Sequence, residues 1–161
     1  MLLHITAMSG SCRFAFAVHI LAMLAYRQGA GATSDIIAAS VNTNPVVIRR
    51  LLTVLRQAGF ITTRKGAGAG SRLARRPSEI TLGDIYRVVE TAAFSLFHPH
   101  TSNRRCPVAR QMEVIFREVS VSAQAALEEV LSQFTLDDVL QAVHSDSTAS
   151  VNRQLRPRKT K

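Results

Sequence analysis

The stretch HPHTSNRRC, His98 to Cys106, is the part of the chain whose side chains could do chemistry. Two imidazoles and a thiol are metal-ligand types, and a thiol beside Arg104 and Arg105 at the start of a helix has an environment that favours thiolate, the oxidisable form. The spacing of His98, His100 and Cys106 matches no established metal template, and no carboxylate stands beside the histidines. A thiol- or metal-dependent enzyme would also need a second thiol or a recognisable nucleophile motif, and neither is present. The bland reading of Cys106 is a small, partly buried hydrophobe. Its functional reading is a redox-responsive thiol. No catalytic residue, metal or cofactor is assigned.

A second chemistry is phosphate binding. The run Gly66 to Gly70, GAGAG, follows Lys65, but it lacks the Gly-Lys-Ser/Thr ending of a nucleotide loop and leads into a strand where such a loop needs a helix. The more productive basic residues lie upstream, in Thr33 to Gly59, TSDIIAASVNTNPVVIRRLLTVLRQAG. There Ser34 is expected to cap a short helix with Asp35 in its first turn and Ile36, Ile37 and Val41 as its contacts. Val41 to Thr43 turns the chain, and Asn44-Pro45 restarts it as a cap followed by proline at the first helical position. Ile48, Leu51, Leu52 and Leu55 recur at helical spacing as one buried stripe, which leaves Arg49, Thr53 and Arg56 on the opposite face with Arg50 beside it. Gly59 closes the helix. A short helix, a tight turn and a second helix with a basic outer face is the layout of a helix-turn-helix, whose second helix enters the major groove.

The whole chain agrees with a polyanionic partner. Its 161 residues carry a formal net charge of +9 and a pI near 11.0, with Arg153, Arg156, Arg158, Lys159 and Lys161 gathered in the last few residues. That basic tail keeps a rival open, a non-specific or architectural nucleic-acid binder. The 47% hydrophobic content supports a globular core. Two separated cysteines, Cys12 and Cys106, argue against a disulfide framework and suit a reducing, cytoplasmic setting. Met1 to Ser11 has neither a basic leader nor a continuous apolar core, and Phe14 to Tyr26 is too short for a bilayer, so no signal or membrane partner is expected.

The elements that must position these residues follow in order. Ser11 is expected to cap a helix running to Tyr26, with Phe14, Val18, Leu21 and Ala25 at helical spacing, His19 as a hydrogen-bonded core histidine and Arg13 within reach of a phosphate. After Gly59, Phe60 to Arg64 has strand character, the glycines turn, and Ser71 to Ala74 returns. This makes a β-hairpin wing whose Arg64, Lys65 and Arg72 suit phosphates. Leu82 to Glu90 reads as a helix. From Val108 to about Gln133 runs a long helix in which Met112, Phe116, Val119, Ala123, Ala126 and Val130 step by four and three, a seam that a second copy would bury. Thr135 caps a last short helix, and 144–161 is expected to be a disordered basic tail.

These motifs together resemble the bacterial Rrf-two transcription regulators, the family of IscR and NsrR. The likeness rests on SCRFAFAVHILAMLA, TSDIIAASVNTNPVVIRRLLTVLRQAGFI, the glycine-rich wing with LARRPSEITLGDIYRVVE, and CPV before the long helix. It covers about Ser11 to Leu140. The resemblance implies a winged-helix homodimer with crossing long helices that binds double-stranded operator DNA, usually as a repressor. It places Thr43, Asn44, Pro45, Val46, Arg49 and Arg50 at DNA-facing positions, and Lys65, Gly66 and Gly68 in the wing. Ser34, Arg13, Arg64 and Arg72 complete the expected interface. Cluster-binding members carry Cys-x5-Cys-x5-Cys before the dimer helix. Here those positions hold Phe94, His100 and Cys106, so the resemblance is to a cysteine-poor branch without the usual iron–sulfur cluster.

The expected organisation is therefore mainly α with a small β-hairpin. A winged helix-turn-helix domain spans 9–90, a sensor or linker loop 91–107, and a dimerisation helix with a short C-terminal helix 108–143.

Overall fold

The structure, a computed structural model, describes residues 12–66, 69–90, 103 and 105–145. Ser11, Gly68, Phe94, His98, His100, Arg104 and the basic tail lie outside the described residues.

Helix α1, Arg13–Tyr26, buries Ala17, Ile20, Leu21 and Leu24. This stripe is one position away from the expected Phe14, Val18, Leu21 and Ala25. A helix apolar nearly all round does not declare which face will be covered, and here Phe14 and Val18 are only half-buried. His19 is exposed, with Nε2 3.1 Å from the Ser40 hydroxyl. It is hydrogen-bonded as expected but lies outside the core, on the open flank of α1. Cys12 occupies the cap position of α1 and makes no side-chain cap bond.

Helix α2, Ser34–Val41, is capped by Thr33 rather than Ser34. The Thr33 hydroxyl accepts from the Ile36 amide at 3.4 Å, and Ser34 is already the first helical residue. Ile37 and Ala38 are buried, while Ile36 turns outward. Asn42, with φ of 56°, ends α2 in the left-handed region that asparagine tolerates better than most side chains. Asn44 then caps α3, Pro45–Gln57, its carboxamide oxygen 2.8 Å from the Val46 amide. Ile48, Leu51 and Leu55 are buried, and Gly59, at φ of 75°, turns the chain so that the Phe60 amide bonds back to the Leu55 carbonyl.

Strands β1, Ile61–Arg64, and β2, Gly70–Leu73, pair antiparallel, Ile61 opposite Leu73 and Arg64 opposite Gly70. Ala32 adds a further rung by exchanging both backbone bonds with Ser71, at 3.1 and 2.8 Å. The hairpin is therefore anchored to the segment that leads into α2. A 3-10 turn at Pro77–Glu79 follows, and Thr81 caps α4, Leu82–Val89, in a reciprocal box with Asp84. Helix α5, Pro107–Ser132, is 26 residues long, and α6 is Leu136–His144.

Although α6 lies far along the chain, it comes back to α1. The Leu136 amide bonds to the Ile80 carbonyl and the Leu82 amide to the Phe134 carbonyl, both at 2.8 Å. Leu136 is fully buried in the same core as Ile20, Ile37, Ile48 and Ile85. Tying one end of α5 down in this way leaves most of it outside that core, and Ser120 is its one fully buried residue. Arg87 joins α4 to α5: it meets Asp84 at 2.8 Å, Glu128 at 3.2 Å and the Ser132 hydroxyl at 3.0 Å. The Asp84 carboxyl is pushed up by partial burial, but bonds from the Thr81 hydroxyl and amide, and then Arg87, outweigh this and hold it below the ordinary aspartate value.

Candidate nucleic-acid interface

The outward side of α3 is set by its inward one. With Ile48, Leu51 and Leu55 packed on the core, helical periodicity turns Val46, Arg49, Arg50, Thr53 and Arg56 to solvent, and all five are exposed. No carboxylate stands anywhere in α3. The Asn44 cap and Pro45 at the first position hold the N-terminal turn, the part of a recognition helix that approaches base edges. Thr43, half-buried, bonds back to Ala38 through its amide and fixes the turn before that cap.

The wing stands beside this face. Arg64, Lys65 and Gly66 at its tip are exposed, with Gly66 at φ of 85°, a conformation glycine takes without strain. Between α2, α3 and the hairpin lies a groove of about 350 Å³, whose lining includes Ser34, Arg49, Thr53, Arg56 and Thr63. Arg13 is exposed at the start of α1.

Two expected contacts have an additional engagement within the protein. Arg72 donates its Nε to the Gly29 carbonyl at 2.5 Å, which pins the hairpin to the loop after α1. Arg49 donates its Nε to the Ser34 hydroxyl at 3.3 Å, and its Nη2 lies 3.7 Å from the Asp35 carboxylate. In the sequence Asp35 is legible only as a complement to the helix dipole, and its place facing Arg49 emerges from the fold. Gly70, absent from the expected interface, has a φ of 127°, and an added Cβ there would lie 2.7 Å from the Ala32 backbone. A signal was there for Gly70, since it is the last glycine before the returning strand. None pointed to the pairing of Asp35 with Arg49.

A family model described as Rrf2, iron-dependent transcriptional regulator, matches residues 11–142. The chain belongs to the Rrf2 family. It is a DNA-binding transcriptional regulator with a winged-helix fold. The HTH-type transcriptional regulator YwnA of Bacillus subtilis is 38% identical over 129 residues, covering 80% of this chain and 94% of that protein. The structure of CymR, the global cysteine regulator of B. subtilis, is similar with a TM-score of 0.60 at 28% identity, covering 82% of this chain and 95% of that one. IscR from T. potens gives a TM-score of 0.61 at 28% identity, covering 86% and 90%. The relatives are regulators of transcription, and nothing in them points to catalysis.

The iron in the Rrf2 description is not matched by three cysteines here: at the three positions that the family resemblance assigns to cluster ligands stand Phe94, which has no ligating atom, His100, and Cys106, the one thiol. Cys106 is half-buried at the cap of α5, and among the described residues no group of three His, Cys, Asp or Glu side chains is placed to hold a metal. These residues do not fit a cluster of the three-cysteine kind. No helix among the described residues is long and apolar enough to cross a membrane.

Proposed function

We propose that this Rrf2 regulator is a homodimeric repressor that reads a palindromic operator, with α3 of each copy in a major groove. The observation that carries this reading is the division of α3 into a buried Ile48, Leu51 and Leu55 stripe and an exposed basic face beginning at the Asn44 cap. In this reading Thr43, Asn44, Pro45 and Val46 set the helix start against base edges, and Arg49 and Arg50 supply direct contacts. Arg13, Ser34, Arg64, Lys65, Arg72 and the glycines Gly66 and Gly68 serve the phosphate backbone. Residues 9–90 form the DNA-binding unit and 91–107 a sensor or linker segment. Because it acts on DNA, the protein works in the cytoplasm.

The dimer rests on the surface of α5. Met112, Val119 and Val130 are exposed, and Phe116, Ala123 and Ala126 lie along the same seam. A helix of 26 residues with one fully buried position leaves an apolar face that a second copy would cover. Cys106, at the cap of α5, is the redox candidate, since a change there acts at the start of the dimerisation helix.

The test is an anisotropy titration of the DNA upstream of the gene against a scrambled duplex, with thiols reduced and then peroxide-oxidised, alongside the mass in solution. A preference for the upstream duplex by a dimer supports the regulator, and its loss on oxidation, abolished in Cys106→Ser, supports the thiol switch. Equal binding of both duplexes that disappears on truncation after Ser145 would favour the architectural reading through the basic tail.

A further inference from the structure

The contact between Arg49 and the start of α2 goes beyond this assignment, although it rests on the operator-binding reading. Arg49 does not extend freely from α3. It crosses to α2, where Ser34 accepts its Nε at 3.3 Å and Asp35 stands 3.7 Å from its Nη2. All of this is exposed: the side chains of Arg49 and Asp35 are 60% and 71% accessible. An ion pair so open adds little to folding. Thr33 already caps α2, so Asp35 contributes only a dipole term there. A carboxylate 3.7 Å from Arg49, which lines the groove between α2, α3 and the wing, also repels the phosphates that would approach Arg49 and Arg56. Asp35 therefore weakens attraction to any duplex, for almost no structural return.

We infer that Ser34 and Asp35 are positioning residues for Arg49 and set the selectivity of the interface. With Nε held by Ser34 and Nη2 also 3.7 Å from Asp35, the guanidinium still keeps an N–H on each terminal nitrogen to meet the O6 and N7 of a guanine end-on in the major groove, the bidentate pairing that arginine makes best. Holding the fork in one orientation before binding removes part of the ordering cost of that contact. The Asp35 carboxylate meanwhile competes with phosphate for the Arg49 guanidinium: a random duplex must draw Arg49 away from it, whereas a guanine met end-on leaves the pair in place, so the cost falls on the wrong sequence. Ser34 supplies orientation and Asp35 supplies discrimination.

The test uses the full-length protein with the tightest duplex enriched from a randomised library, a scrambled duplex, and the enriched duplex with each G·C pair replaced in turn. Asp35→Asn should raise affinity for the scrambled duplex more than for the enriched one, so that preference falls about 3- to 10-fold. Ser34→Ala should lower affinity for the enriched duplex more than for the scrambled one, so that preference falls. Arg49→Ala should remove discrimination at one G·C pair, at least about fivefold. In the Arg49→Ala background, Asp35→Asn should act on both duplexes by the same factor. If Asp35→Asn raises both duplexes equally in the wild-type background, Asp35 is a general electrostatic brake and the inference fails. If its effect on preference persists without Arg49, the coupling is wrong. Wild-type protein that enriches no sequence would overturn operator reading itself, and this inference with it.

Discussion

Gly83 of α4 and Ser132 of α5 sit in direct contact: a Cβ built on Gly83 would overlap the Ser132 hydroxyl and lie 3.1 Å from its Cα. The two helices meet at glycine because any side chain there would push α5 away from α4. Gly83→Ala should cost about 1–3 kcal/mol of stability through overpacking, which urea unfolding reads directly. Arg87→Met, which keeps the packing stem and removes the contacts to Asp84, Glu128 and Ser132, should cost less, because the Arg87 side chain is half exposed. An equal loss in the two variants would mean that the polar contacts, not the close approach, hold the joint.

Gly70→Ala should detach the wing. The position combines a φ of 127° with a Cβ site 2.7 Å from the Ala32 backbone. Strain and clash act together there, and neither has a flexible side chain to absorb it. The expected loss is about 2–4 kcal/mol in urea unfolding, with faster hydrogen exchange at the Ser71 amide, which bonds to the Ala32 carbonyl. Protection of that amide unchanged from wild type would refute the anchoring role.

Lys65→Ala tests the wing tip. Lys65 is exposed and its contact is expected to be with phosphate. It should weaken enriched and scrambled duplexes by similar factors and reduce the slope of log affinity against log salt by about one. A loss confined to one sequence would instead place Lys65 at a base edge.

Acid stability should depend on Asp84. Its folded value lies below its unfolded one, so the carboxylate adds stability above the unfolded value, about 3.9, and loses it as the pH falls through the folded value. Urea midpoints followed from pH 6 down to pH 3 should fall less steeply for Asp84→Asn than for wild type. Parallel curves would assign the acid sensitivity to other carboxylates, with Glu79, held low by Arg76, the first to examine.

Features governed by local rules were legible in the chain itself. Asn44-Pro45 marked the start of α3, the Ile48, Leu51, Leu52 and Leu55 spacing marked its buried side, although Leu52 is only half-buried, and Thr135 marked the cap of α6, because each depends on residues within a turn of it. The misplaced features had nearly equivalent local choices. Thr33 and Ser34 are both good caps, and α1 offered several apolar stripes. What stayed hidden is non-local. Ala32 pairs with Ser71, Arg49 with Asp35, and Leu136 enters the core beside α1; each needs two distant segments to be brought together by the rest of the fold. Periodicity reports which face of an element is apolar and says nothing of which other element will meet it.

The way α5 is fastened has a mechanical consequence. Its C-terminal half is fixed to α4 by Gly83 and Arg87 and to the core by the return of α6, while Cys106 stands at the opposite end of its 26 residues. The helix is held as far back as Ser120, Gln124 and Glu128, so the 13 residues before Ser120 form a lever of about 20 Å at about 1.5 Å per residue. A tilt of about 5° at the fastened end displaces the Cys106 end by about 2 Å, and the same geometry run backwards turns a small shift near Cys106 into a rotation of the body that carries α3. The stiffness of one helix thus sets how closely the angle of α3 follows a displacement at the Cys106 end.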